Sequence, residues 1–151
     1  MAEEIAVVLL AAIPVFEVRA SVPLAIMVYK IAPANAVFLS VLGSILPILP
    51  LLWFLNNLTE HLRKVVSFDK FFAWLFARTR ARSKLIEDLE IIGLILFIGV
   101  PLPGTGVWTG TIAAYLLGLR WAPTFMAGLV GTTIASILVT AATLGIINFV
   151  L

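Results

Sequence analysis

Glu17 and Arg19 interrupt a long apolar opening stretch, and theirs is the chemistry that stands out most sharply in the chain. Flanked by the apolar segments Ile5–Phe16 and Val22–Tyr29, the pair would sit at the depth of a bilayer core. Charge is costly there, so such residues mark substrate or ion pathways. Two positions apart, they would point to different faces of one helix, whereas a turn lets both face a common cavity. A guanidinium matches carboxylate or phosphate oxygens bidentately, so Arg19 is expected to hold an anionic headgroup. Glu17 is expected to carry a proton. The plainer alternative is that the two pair with each other and only stabilise a break.

A second interruption reads Pro101-Leu102-Pro103-Gly104-Thr105-Gly106-Val107-Trp108-Thr109-Gly110. Its glycines permit tight turning and close backbone approach. Ser21 is placed to cap a half-helix beginning near Val22-Pro23, since proline is tolerated in a first turn. Thr105 or Thr109 would cap the helix that follows the second break. Both half-helices would then aim positive dipole ends at the site. With Arg19 they would form an anion site that needs neither metal nor cofactor. The expected binding set is Pro14, Glu17, Arg19, Pro101, Pro103, Gly104, Thr105, Gly106, Trp108 and Thr109. Trp108 would lie deep, whereas Trp53 and Trp121 stand near segment ends and suit the interfacial belt.

The elements that must position these residues belong to a membrane. The chain is 62% hydrophobic and 12% charged over 151 residues, against about 45–50% and about 25% in soluble domains. So short a chain has too little interior to hide that apolar surface, and lipid must cover it. Of six apolar segments, only Ala34–Leu55 and Pro123–Leu151 reach the roughly 20 residues a spanning helix needs. Ile5–Phe16, Val22–Tyr29, Ile91–Val100 and Thr111–Leu119 are each about half that long. Paired around the two breaks, they predict re-entrant hairpins rather than continuous helices.

The halves resemble each other. Ile13-Pro14-Val15 matches Val100-Pro101-Leu102, Lys30-Ile31-Ala32-Pro33 matches Arg120-Trp121-Ala122-Pro123, and Gly43-Ser44 matches Gly131-Thr132. The expected fold is therefore an all-α membrane domain with an inverted repeat. Residues 1–56 and 91–151 would each form a re-entrant hairpin plus one transmembrane helix. Interrupted segments at matching positions are a pointer to a transporter site. Residues 57–90 would be an amphipathic interfacial linker, with Phe71, Phe72 and Trp74 beside Arg78, Arg80 and Arg82. Seven basic residues between 57 and 90 (Arg63, Lys64, Lys70, Arg78, Arg80, Arg82 and Lys84) place that linker on the cytoplasmic side. Lys30 and Arg120 are expected to end their half-helices at the interface.

Gly128, Thr132, Ser136 and Thr140 form a small-residue stripe, suited either to packing between the halves or to a homodimer. The acidic Met1-Ala2-Glu3-Glu4 start lacks the basic region of a secretory leader. Cysteine is absent, His61 has no metal-ligand companions, and no phosphate-loop or Ser/His/Asp set is present, so no enzyme is expected. Membrane lipids, a small amphipathic substrate and protons are the expected partners, and nucleic acid is not.

The motif Ala12–Leu24 resembles the first signature of the prokaryotic family of small multidrug export proteins, and Val100–Gly110 resembles the second. Ala20-Ser21 stands where a glycine is expected near the arginine. The layout is also similar to the wider DedA/VTT superfamily, whose opposed re-entrant hairpins carry acidic and arginine residues at their tips. That resemblance implies lipid translocation in a prokaryotic cell membrane, with Glu17 and Arg19 as site residues and 101–110 as the opposing wall. DedA-type proteins usually add an arginine in the second tip, and this chain has none there. The leading expectation is a proton-linked flippase or transporter for an anionic lipid-like substrate such as a polyprenyl phosphate. The alternatives are an exporter of lipophilic cations, with Glu17 as counter-ion, and a non-transporting membrane scaffold.

Overall fold

The computed structural model describes residues 1–81 and 84–150, with the side chains of 68, 75–76, 78–81, 84–86 and 146–150 outside the description. Arg82 and the side chains of Arg78, Arg80 and Lys84, part of the basic cluster, thus lie outside the described residues. What is described is helical: α1 (Ala2–Ala12), α2 (Glu17–Pro23, running on as a π turn over Leu24–Val28), α3 (Pro33–Ile45), α4 (Ile48–Leu62), α5 (Val66–Ala81), α6 (Lys84–Gly99), α7 (Val107–Leu116) and α8 (Trp121–Val150).

Two helical runs are long and apolar enough to cross a membrane: Pro33–Leu62, which joins α3 and α4, and Trp121–Gly145 within α8. Large apolar side chains cover the outside, and small hydroxyl residues share the interior with aliphatic ones. Phe38, Trp53, Leu96, Ile112 and Ile137 are exposed, while Ser21, Ser40, Ser44, Thr111, Thr132 and Ser136 are buried. Lipid tolerates the first set, and small hydroxyl residues inside let helices come close. Most threonine hydroxyls are satisfied locally. Thr111, Thr124, Thr140 and Thr143 each donate to the carbonyl four residues back, at 2.7–2.8 Å. The protein is an integral membrane protein.

At residues 13–16 and 100–106 the chain leaves helix. The π turn after α2 packs back on α1, so the chain reverses at the first break, and α7 likewise packs on α6. Each of these hairpins also reaches across to the other half: α2 packs on α8, and α7 packs on α4. The two halves repeat one particular contact. A Cβ on Gly43 would collide with the Val8 carbonyl oxygen of α1, and a Cβ on Gly131 would fall 2.9 Å from the Ile95 carbonyl oxygen of α6. Left-handed backbone recurs as well, at Glu17 (φ 44°) and Lys30 (φ 55°) in the first half and at Gly104 (φ 82°) and Gly118 (φ 70°) in the second.

Several expectations need correction. The second half-helix starts at Glu17 and not near Val22, so Pro23 closes the α-helical turn instead of opening it. A proline there removes a donor from the helix, and the wider π turn over Leu24–Val28 follows directly. The third apolar segment is broken at Leu46-Pro47, and its helix runs on to Leu62 into the presumed linker. The rest of the linker holds α5 and the first turns of α6. Of the small-residue stripe, Gly128, Thr132 and Ser136 are buried within the chain, with Gly128 against Ile48 of α4. At Gly128 the stripe packs the second half against the first.

Gly43→Ala should lower stability by about 1–3 kcal/mol, because the methyl overpacks α1 against α3, and Gly131→Ala should act likewise on α6 and α8. Gly145→Ala, whose added methyl meets nothing within 4 Å, should be neutral or stabilising by up to about 1 kcal/mol. Thermal unfolding in detergent measures all three. Equal effects would mean that helices do not approach at these glycines.

Candidate functional site

The two breaks meet, and the residues singled out in the sequence are where they touch. Glu17 is the first residue of α2 and is 3% exposed. Its side chain reaches across to α7, where Oε1 accepts the backbone N–H of Trp108 at 3.3 Å. The first amides of a helix have no partner within it, and a carboxylate satisfies them while complementing the dipole. Glu17 thus caps a helix 91 residues away. Gly106 makes room for it: a Cβ at that position would collide with the carboxylate, and its φ of 140° is itself unfavourable for other residues.

Arg19 sits two residues further along the tip, its side chain 25% exposed. Nη1 faces Glu17 Oε2 at 3.4 Å, and Nη2 donates to the Thr105 hydroxyl at 2.7 Å. The pairing that the plainer alternative expects is therefore present but long. The shorter contact of Arg19 is the one that crosses to the second break. Thr105 turns its own proton back towards the carbonyls of Val100 (2.8 Å) and Leu102 (2.9 Å), which leaves a lone pair for the guanidinium. Arg19 Nε is buried without a partner. A third bridge comes from Trp108, whose indole Nε1 donates to the Ala12 carbonyl at the end of α1, at 3.1 Å.

The capping residues expected from sequence are not the caps observed. Ser21 lies inside α2, fully buried, and donates to the Ser40 hydroxyl of α3 at 2.8 Å. Gly106 is the N-cap of α7, and neither threonine caps it. Thr109 instead points back to the Gly106 carbonyl at 3.4 Å. Pro14, Pro103 and Gly104 are exposed along the two breaks, Pro101 is half-buried, and all four shape the turns around the Glu17–Arg19 cluster. The spacing gave no sign of the Ser21–Ser40 bond or of a bond between the Thr59 and Tyr115 hydroxyls that ties α4 to α7. A hydroxyl inside an apolar run was the one available hint.

Residues 17–138 match the sequence profile of a family described as "Putative small multi-drug export protein". The chain belongs to this family. The match begins at Glu17, just after the first break, and takes in the second, so Glu17, Arg19, Thr105, Gly106 and Trp108 all lie within the matched residues. No curated protein and no solved structure matches the chain.

Breaking one side of a buried ion pair leaves the other uncompensated, which costs about 3–5 kcal/mol, whereas removing both partners is far milder. Arg19→Met should therefore destabilise the protein more than the double substitution Glu17→Gln/Arg19→Met does. Unfolding in detergent tests this ordering. If the double variant proves the least stable of the set, the two side chains hold their breaks independently and do not act as one cluster.

Proposed function

We propose that this small multidrug export family member is a multi-pass transporter of a prokaryotic cell membrane, moving an amphipathic molecule with an anionic headgroup. The observation that carries the reading is the meeting of a guanidinium, a carboxylate and a helix N-terminus where the two breaks touch. Charge is held at such depth only when it is paired, and a site of this kind in an export family has binding as its simplest use. Arg19 keeps donors that Glu17 does not use, and the α7 amides favour negative charge, so the cluster selects an anion.

The repeated glycine contacts and left-handed positions support two re-entrant hairpins arranged as an inverted repeat, residues 1–56 and 91–151, joined by a cytoplasmic interfacial linker over 57–90. In that architecture alternating access is a rocking of one half against the other around a fixed site. Each hairpin packs on the long helix of the opposite half, so rocking must part the contacts at the tips. Glu17 is the one group there that can gain and lose a proton as they part. A polyprenyl phosphate is the model substrate, and its headgroup would lie on Arg19.

The family description favours a second reading, export of lipophilic cations with Glu17 as counter-ion. Arg19 beside Glu17 argues against it, since the carboxylate's charge is already matched. The deciding assay follows a short-chain polyprenyl phosphate and a lipophilic cation in parallel across proteoliposomes. Movement of the phosphate should fall by roughly tenfold or more in Arg19→Ala, as expected for loss of a charged hydrogen-bonding partner. Movement of the cation alone would transfer the assignment to the second reading. Movement of neither would make the protein a membrane scaffold.

A further inference from the structure

We infer that Glu17 is a tethered occupant of the anion site: its carboxylate holds the place that an external anionic headgroup takes when Glu17 is protonated and withdraws. The substrate class rests on the export reading above, but the exchange itself is a binding event and is tested as one.

The geometry is that of a receptacle filled by a poorly matched guest. Glu17 reaches the Trp108 amide at 3.3 Å and Arg19 at 3.4 Å, both long for charge-assisted hydrogen bonds, which run at about 2.7–2.9 Å. The guanidinium meets the carboxylate through one nitrogen, without the bidentate fork it prefers. Its Nε, buried and without a partner, faces no acceptor at all. A headgroup with three oxygens, such as a sulfonate or a phosphate monoester, offers acceptors to the Nε–Nη2 edge, where Nη2 keeps a second hydrogen beside the one given to Thr105, and to the α7 amides together. It cannot reach the Trp108 amide while Glu17 is ionised and in place, because the carboxylate already accepts that N–H and the two charges repel. Once protonated, Glu17 loses the charge that holds it to the amide and to Arg19.

The surroundings make Glu17 the group that governs this exchange. Of the elements packed on α2, α1 carries Glu3 and Glu4 on its exposed first turn, and α3 and α8 carry no charged residue. Neither do α7 or the two breaks, and Tyr115 of α7 is bonded to Thr59. Among the described residues, Arg19 is therefore the charged group that faces Glu17. Gly106 adds a steric element, since the space beside it is filled by the carboxylate and empties when that group leaves.

Trp108 provides a reporter, being the one tryptophan at the site. A variant with Trp53, Trp74 and Trp121 replaced by phenylalanine, in phosphatidylcholine nanodiscs, is titrated with dodecanesulfonate, a permanently charged anion, and separately with inorganic sulfate. The dodecanesulfonate affinity should be roughly tenfold tighter at about pH 5 than at about pH 8. Glu17→Gln should bind tightly at both, and Arg19→Met at neither. In weak buffer, the protein with Glu17 intact should take up about one proton per anion bound, a readout that needs no substitution at the site. Competition by sulfate would make the headgroup sufficient, and its failure would make the alkyl tail part of the ligand. Either result is consistent with the exchange. Binding that ignores pH without proton uptake, or weaker binding by a folded Glu17→Gln, would overturn it. Transport without proton uptake would overturn the exchange and keep the export reading. Proton-linked binding without transport would do the opposite.

Discussion

A carboxylate from one half of the chain satisfying the first amides of a helix in the other half is the constraint on which the rest depends. Where a helix stops inside lipid, its terminal amides and carbonyls have no water to turn to, and each unsatisfied group costs several kcal/mol. This chain stops a helix twice, at residues 13–16 and 100–106. Each break supplies what the other lacks: Glu17 goes to the Trp108 amide, and the Trp108 indole goes to the Ala12 carbonyl. Arg19 and Thr105 complete the exchange. Neither break has its polar groups satisfied by itself, and the two are joined where these side chains meet.

The packing follows the same logic on a larger scale. With lipid outside, burial of aliphatic surface gives no net drive between helices, so contact depends on shape and on hydroxyls. Gly43 and Gly131 bring the long helices against α1 and α6, Ser44 donates to the Ala11 carbonyl at 3.2 Å, and Ser21 meets Ser40. The two breaks are thereby held close enough for the Glu17 and Arg19 side chains to reach Trp108 and Thr105 across the gap.

Much of this was legible in the sequence for physical reasons. An acid and a base are so unfavourable within an apolar run that Glu17 and Arg19 identified themselves, and two prolines with two glycines after Val100 fixed the second break. The Gly43/Gly131 match marked a contact that the structure indeed contains twice. What escaped were the partners. Ser21 reads as a cap because proline follows two residues later, yet proline is compatible with either end of a short helix, and here the helix begins five residues before Val22 and passes into a π turn after Pro23. Thr105 and Thr109 read as local caps because sequence shows only local neighbours, whereas the true cap is 91 residues distant. The small-residue stripe could serve either an internal or an external surface, and the internal contact became visible only with the position of α4 against Gly128.

The backbone at Glu17 has one further consequence. Its φ of 44° lies in the left-handed region, and its counterpart in the other half is Gly104, which adopts such angles freely. An L-residue with a side chain stores roughly 1–2 kcal/mol there. The cross-chain contacts hold Glu17 in that conformation, so the joint is spring-loaded, and on one side only. In the exchange proposed above, release of the carboxylate would let the first tip relax its backbone, whereas the second, with glycine at the matching position, would gain nothing by moving. The stored amount would then offset part of the work of opening, and the motion would have a built-in starting end.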